Sequence, residues 1–132
     1  MNYPQTILLT DDEPHIRKFI GLVLRKFGNP RILEAANGAE AIILYRDHRP
    51  DLVLLDVNMP LLDVVQALTQ IRKLDPDAVV VMLTSLANRQ TVEECARLGA
   101  ADYIRKDTPR EEMTAKFESI IAECYGVEET PA

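Results

Sequence analysis

The 132-residue chain has only two cysteines and no long apolar segment. Cys95 and Cys124 stand 29 residues apart and outside any Cys-x-x-Cys pattern, so we expect free thiols rather than a disulfide or a metal site. The longest apolar runs span four to six residues, far fewer than the roughly 20 that a membrane helix needs, and a signal peptide pattern is absent. These features predict a cytoplasmic protein that does not enter a membrane.

Basic residues are also few, with 15 Lys and Arg against 21 Asp and Glu and a net charge of −6. Without a cluster of positive charge, direct binding to nucleic acid is not expected. The 47% of hydrophobic residues is enough for one core, and linkers and repeats are absent. We therefore predict a single domain over residues 1–125, followed at 126–132 by a flexible acidic tail or a clipped linker.

Short apolar segments alternate five times with amphipathic helical patterns. Uninterrupted apolar strands of this kind are buried on both faces, and their alternation with helices is typical of parallel βαβ units. The expected fold is α/β: one doubly wound, flavodoxin-like sheet of five parallel strands in the order 2-1-3-4-5 with five helices. The predicted strands lie at 7–9, 32–33, 52–55, 79–83 and 103–104, and the helices at 16–27, 39–47, 62–74, 89–98 and 110–125.

Charged and hydroxyl side chains follow the predicted strands, at the sheet edge where such folds bind ligands. Converging carboxylates recruit a hard cation such as Mg²⁺, which binds oxygen ligands, and a lysine and a hydroxyl could hold an anion beside it. This combination is typical of phosphoryl transfer. The residues are Asp11, Asp12 and Glu13 after strand 1, Asp56 after strand 3, Thr84 and Ser85 after strand 4, and Arg105 and Lys106 after strand 5.

Each of these residues also has a purely structural interpretation. Asp11 to Pro14 could cap the first helix, and Asp56 could be a turn residue. Thr84 could be another helix cap, and Lys106 a solvated charge. The two histidines, at positions 15 and 48, lack ligand partners in the sequence and are expected on helix surfaces.

Five motifs in order resemble the receiver domains of two-component response regulators, and together they cover residues 5–125. The resemblance implies that a histidine kinase or phosphotransfer protein phosphorylates Asp56. It also implies a Mg²⁺ site at Asp11, Asp12, Asp56 and the backbone carbonyl of Asn58. The motifs are ILLTDDE at 7–13, AANGAEA at 35–41, PDLVLLDVNMP at 50–60, LTS at 83–85 and GAADY at 99–103, followed by Lys106.

The same resemblance implies a signalling mechanism. Thr84 and Lys106 correspond to the pair that contacts the phosphoryl group, and Tyr103 to the aromatic switch residue. The surface of helix 4, strand 5 and helix 5, including Arg89, Gln90 and Glu93, is then expected to bind an output protein or domain, or a second copy of the chain. The domain is expected to assist only its own phosphorylation and slow dephosphorylation, and so is not an enzyme.

Two positions depart from the family pattern. Val64 stands where glycine usually follows a Met-Pro-x-x-Asp segment, and a β-branched residue tolerates a positive φ poorly. Asp107 stands where proline usually follows the lysine, so a cis bond there would cost about 3 kcal/mol and is not expected. Neither change removes a reactive group.

Three other functions use similar residues. A haloacid-dehalogenase-like phosphatase also has an aspartate nucleophile and Mg²⁺, but it needs an acid at the position of Asn58. A flavin mononucleotide binder needs hydroxyls and amides where this chain has Asp11, Asp12 and Glu13. A domain that only docks partners would not need the intact set of acids, Thr84 and Lys106.

Overall fold

The computed structural model describes residues 3–58, 64–85 and 89–125. Within these ranges five strands alternate with five helices, as predicted. The elements are β1 (Thr6–Thr10), α1 (Pro14–Leu24), β2 (Arg31–Ala35), α2 (Gly38–His48), β3 (Leu52–Asp56), α3 (Val64–Leu74), β4 (Val80–Thr84), α4 (Arg89–Arg97), β5 (Asp102–Arg105) and α5 (Arg110–Tyr125).

The strands form one parallel sheet in the order β2-β1-β3-β4-β5. This confirms the predicted fold class and strand order. β2 lies on one side of β1, and the chain then returns past β1 to place β3 on the other side, so the carboxyl ends of β1 and β3 meet at the switch point. At that edge Asp56, the last residue of β3, is paired with Leu83 of β4.

The core lies in two layers, one on each face of the sheet. On one face α1 and α5 pack against Leu52 and Leu54 of β3, and on the other α2, α3 and α4 pack against Val53 and Leu55. All four of these β3 side chains are fully buried. Burying one such side chain contributes about 1.5 to 3 kcal/mol, so β3 is anchored from both sides.

The first helix is shorter than its apolar pattern predicts. It ends at Leu24, and Phe27 stays buried in a tighter turn in which Lys26 N donates to Val23 O and Phe27 N to Leu24 O. Gly28 closes this turn with a φ of 81°, and a Cβ there would lie 2.8 Å from the Tyr3 ring. The apolar spacing continues past the helix because i to i+3 hydrogen bonds keep the same face toward the core.

Several sequence predictions lie outside the described residues. These are the Met59-Pro60 part of the third motif, the first two residues of the helix predicted from 62, and the tail at 126–132. Val64 itself lies in α3 and is buried, so it does not occupy a left-handed turn. In the described part of the chain, no helix has the length and apolar character to cross a bilayer.

Candidate functional site

Backbone hydrogen bonds beyond the strand ends hold the residues of the site in place. Asp11 N donates to Ala35 O at 3.0 Å, which extends the pairing of β1 with β2 into the following loop. Lys106 N donates to Thr84 O at 2.8 Å, which does the same for β5 and β4. The sheet therefore holds the loops after β1 and β5 at one edge.

Lys106 bridges two buried carboxylates at this edge. Its Nζ lies 2.9 Å from Asp11 Oδ2 and 2.9 Å from Asp56 Oδ1, and 3.8 Å from Glu13 Oε1. The Lys106 side chain is only 10% exposed, and the Asp11 and Asp56 side chains are fully buried. The interpretation of Lys106 as a solvated surface charge is therefore wrong.

The two buried aspartates differ in how their oxygens are used. Asp11 Oδ1 accepts from Glu13 N at 2.8 Å, so it closes a turn rather than capping α1, whose cap residue is Glu13 itself. Asp56 Oδ1 accepts from Asn58 N at 2.9 Å, so the turn interpretation of Asp56 is confirmed for that oxygen. Asp56 Oδ2 is buried and has no hydrogen-bond partner among the described residues. A buried carboxylate oxygen left in this state is costly unless a ligand meets it.

Burial dominates the protonation of this cluster. It raises the pKa of Asp56, which the nearby Asp11 charge raises further, whereas the Asn58 amide and Lys106 oppose the rise. Burial alone would lower the pKa of Lys106, but its hydrogen bonds to Asp11 and Asp56 outweigh that effect and raise it. The site thus favours the charged form of Lys106 and disfavours the charged form of Asp56.

Three carboxylates converge closely enough to share a cation. Asp11, Asp12 and Asp56 each offer an oxygen within 4.8 Å of the others, and Asp12 is exposed whereas the other two are buried. An all-oxygen set with one side open to water suits Mg²⁺, which retains several water ligands. Asp56 belongs to this set, and its Oδ2 has no hydrogen-bond partner among the described residues. The residues present therefore fit a magnesium ion.

The end of β4 faces the same site. Thr84 is buried, and its Oγ1 donates to Ser85 O at 2.9 Å. Thr84 is the last residue of β4. Asn58 Nδ2 donates to Ser85 Oγ at 2.8 Å, which ties the loop after β3 to the loop after β4.

Comparison with known proteins identifies the family. Residues 7–118 match the model of the response regulator receiver domain. This chain belongs to that family. Over 100 residues it is 37% identical to the chemotaxis protein CheY of Bacillus subtilis, and this match covers 76% of this chain and 83% of that protein. Over 125 residues it is 36% identical to the probable transcriptional regulator ycf27 of Porphyra purpurea, and this match covers 91% of this chain but only 49% of that protein.

Solved structures agree with this assignment. A chain in the CheX-CheY-BeF3-Mg complex from Borrelia burgdorferi superposes with a TM-score of 0.82 at 31% identity, over 95% of this chain and 92% of that one. A LuxR-family response regulator from Aurantimonas sp. SI85-9A1 gives 0.81 at 29% identity, over 92% and 87%. The resemblance in the motifs is confirmed, whereas the boundary at residue 125 stays a prediction.

The receiver domain has its predicted switch residue on an open surface. Tyr103 of β5 is 46% exposed, and Lys116 Nζ of α5 lies 5.8 Å from the centroid of its ring. Beside the ring is a cleft of about 420 Å³ that reaches from Thr84 to the surface of α4. The cleft is lined by Thr84, Ser85, Arg89, Val92, Glu93, Tyr103 and Arg105.

The loop after β5 tolerates the loss of the usual proline. The bond between Lys106 and Asp107 is trans, as expected. Asp107 is held instead by a bidentate ion pair with Arg105. Arg105 Nη2 lies 2.8 Å from Asp107 Oδ2, and Arg105 Nε lies 3.1 Å from Asp107 Oδ1. Both side chains are exposed, so this pair contributes to loop geometry more than to stability.

Sequence reasoning missed one pair of residues beside the receiver domain site. Arg17 of α1 donates from Nη1 to Asp11 O at 2.7 Å and from Nε to Glu34 Oε1 of β2 at 2.7 Å. The residues are widely separated along the chain, and only the β1–β2 register brings them together. The predictions for the histidines and cysteines are confirmed: His15 and His48 are exposed on helices, and neither cysteine forms a disulfide.

Proposed function

We propose that this receiver domain is a phosphoacceptor signalling domain in the cytoplasm. In this proposal a histidine kinase or phosphotransfer protein phosphorylates Asp56, and the surface formed by α4, β5 and α5 passes the signal to an output protein or domain, or to a second copy. The observation that carries it is the buried, unpartnered Asp56 Oδ2 beside the Lys106 ammonium and two further carboxylates.

The chemistry assigned to the site is nucleophilic attack by a carboxylate. Asp56 Oδ2 forms a bond to phosphorus while the bond from phosphorus to the donor's imidazole nitrogen breaks, and the electron pair of that bond stays on the nitrogen. Lys106 holds the Asp56 side chain and stabilises the phosphoryl oxygens. Asp11, Asp12, Asp56 and the carbonyl of Asn58 would hold Mg²⁺, which would supply the charge neutralisation that two approaching anions need.

The aspartyl phosphate is expected to hydrolyse slowly. Two residues past Asp56 stands Asn58, whose amide is neither an acid nor a base, and its Nδ2 is engaged with Ser85 Oγ. Without a general base, water attack depends on positioning alone. This distinguishes the proposal from a phosphatase, which turns over its substrate, and it is the reason that we do not propose an enzyme.

Signalling is proposed to begin at Thr84. Phosphorylation adds a charge of about −1.5 to −2 and three acceptor oxygens, to which the Thr84 hydroxyl can turn from its present bond with Ser85 O. That shift would open space behind the cleft, and Tyr103 could then rotate inward from its exposed position. The surface around Arg89, Gln90 and Glu93 would change with it, without contact to nucleic acid or membrane.

Labelling with acetyl phosphate tests the proposal. The wild-type protein should become phosphorylated only with Mg²⁺ present, and Asp56→Asn should abolish the label. Asp77→Asn, which changes an exposed acid in the turn before β4, serves as the matched control and should label like the wild type.

Three results would contradict the proposal. Undiminished label in Asp56→Asn would show that another residue is the acceptor. Absence of label in the wild type with Mg²⁺ would favour a domain that only docks partners. Multiple turnovers per second on a phosphomonoester would favour a phosphatase.

A further inference from the structure

All four polar atoms of Asp11 are held by other residues. Its backbone N donates to Ala35 O at 3.0 Å, its Oδ1 accepts from Glu13 N at 2.8 Å and its Oδ2 lies 2.9 Å from Lys106 Nζ. The fourth atom, the backbone carbonyl oxygen, accepts from Arg17 Nη1 at 2.7 Å. Of these contacts, only the one with Lys106 enters the proposed phosphoryl chemistry, and Arg17 supplies the other side chain that holds Asp11.

Arg17 is itself held from the far side. Its Nε donates to Glu34 Oε1 at 2.7 Å, and Arg17 is only 17% exposed whereas Glu34 is 54% exposed. Glu34 is the neighbour in β2 of Ala35, whose carbonyl receives the Asp11 amide. The planar guanidinium therefore spans from β2 to the loop after β1, and its fixed fork geometry suits such a bridge better than a lysine would.

The carbonyl that Arg17 holds belongs to the peptide plane between Asp11 and Asp12. Because a peptide unit is planar, fixing its oxygen also fixes the nitrogen of Asp12 and the direction in which its Cα leaves the plane. Asp12 is the exposed member of the acidic cluster, and no side-chain hydrogen bond or ion pair to another described residue orients its carboxylate. Its orientation therefore depends on the backbone that carries it.

We propose that Arg17 is a positioning residue of the cation site: it directs the Asp12 carboxylate toward the ion, and Glu34 anchors the guanidinium and balances its charge. The inference rests on the proposed function, because it assumes that the acidic cluster binds Mg²⁺. It predicts an effect opposite in sign to simple electrostatics. Removing a positive charge beside a cation site should strengthen cation binding, whereas losing a positioning residue should weaken it.

The test measures Mg²⁺ binding by calorimetry in the absence of any phosphoryl donor. Arg17→Met should bind Mg²⁺ about tenfold more weakly than the wild type, the lower end of the usual effect of removing a residue that orients a metal ligand. Arg25→Met removes the same charge from an exposed residue just after α1 and should leave the affinity within about twofold. The double variant Arg17→Met/Glu34→Gln keeps the net charge of the wild type and should remain about tenfold weaker.

The rate of phosphorylation gives a second measurement, which separates a loss of Mg²⁺ affinity from general damage to the site. At saturating Mg²⁺ the labelling rate of Arg17→Met should return to within about twofold of the wild type, since Asp56 and Lys106 are unchanged. Should Arg17→Met fail to fold, Glu34→Gln removes only the anchor, at a largely exposed side chain, and should weaken Mg²⁺ binding in the same direction. The urea midpoint of each variant establishes that it is folded.

Two results separate this inference from the proposed function. If the wild type binds Mg²⁺ and becomes labelled but folded Arg17→Met binds Mg²⁺ as tightly or more tightly, the positioning role is refuted and the phosphoacceptor proposal stands. If the wild type binds no Mg²⁺, both fail together.

Discussion

Replacing Lys106 with methionine removes the ammonium that lies between two buried carboxylates while keeping much of the side-chain volume. Asp11 and Asp56 offer oxygens within 4.8 Å of each other, and both are fully buried. With an effective dielectric constant of about 20, two unit charges at that distance repel by about 3.5 kcal/mol. We therefore expect Lys106→Met to lower the free energy of unfolding by about 3 kcal/mol at pH 7 without Mg²⁺.

The loss should depend on pH, and its sign follows from the pKa of Asp56. Burial already raises this pKa above 3.8, and losing Lys106 removes an influence that lowers it. A carboxyl whose pKa is raised in the folded state stabilises that state fully below the unfolded pKa, and loses this contribution as the pH rises through the folded pKa. Lys106 stays charged at neutral pH because its own pKa is raised above 10.5. The gap between variant and wild type should therefore widen as the pH rises from about 4 to 7.

Urea denaturation followed by circular dichroism at several pH values, with a chelator present, measures this difference. Lys73→Met is the matched control because Lys73 is exposed on α3, and its effect should stay within about 0.5 kcal/mol. A Lys106→Met protein as stable as Lys73→Met across this pH range would refute the reasoning, because the ammonium would then not be offsetting any repulsion.

Three further predictions follow from other contacts. Asp56→Asn should raise the free energy of unfolding by about 1 kcal/mol at pH 7 without Mg²⁺, because it removes a buried charge whose pKa is raised, and the urea midpoint would report the gain. Tyr45→Phe should lower it by about 1 kcal/mol, because the Tyr45 hydroxyl donates to Asp75 Oδ2 at 2.9 Å; ultraviolet titration of the wild type should place the pKa of Tyr45 at about 12. Thr84→Ala should confine the backbone NMR shifts caused by beryllofluoride to the loops around Asp56, and shifts still reaching Tyr103 would contradict the switch.

The fold could be predicted because short uninterrupted apolar segments, typical of buried strands, alternate with amphipathic helical patterns. The strand ends could not be placed as well. Thr6, Thr10 and Thr84 belong to strands although they are polar, because the ladder of backbone hydrogen bonds continues regardless of the side chain. In α1 the opposite occurs: the apolar spacing reaches Phe27, but the helix ends at Leu24.

The site was predictable to the extent that it depends on position along the strands. Acids at the ends of β1 and β3 had to meet once the sheet was parallel, and they do. The sequence carries no information on the direction of a long side chain, so the bridge that Lys106 makes between two acids could not be derived. Arg17 was missed for the same reason, since its contacts depend on the register of two strands as well.

The burial of β3 on both faces has a consequence for the lifetime of a modified Asp56. Amide hydrogens of a strand packed from both sides exchange with solvent mainly when the whole molecule unfolds, because no local opening releases them. Asp56 is the last residue of that strand, and the next amide, Val57 N, still donates to Leu83 O at 2.9 Å. Fraying of the surrounding loops would therefore not carry the acyl phosphate bond into bulk water. Its decay rate should report the chemistry of the intact site, and should stay nearly constant in variants that lower the stability only at positions remote from the site.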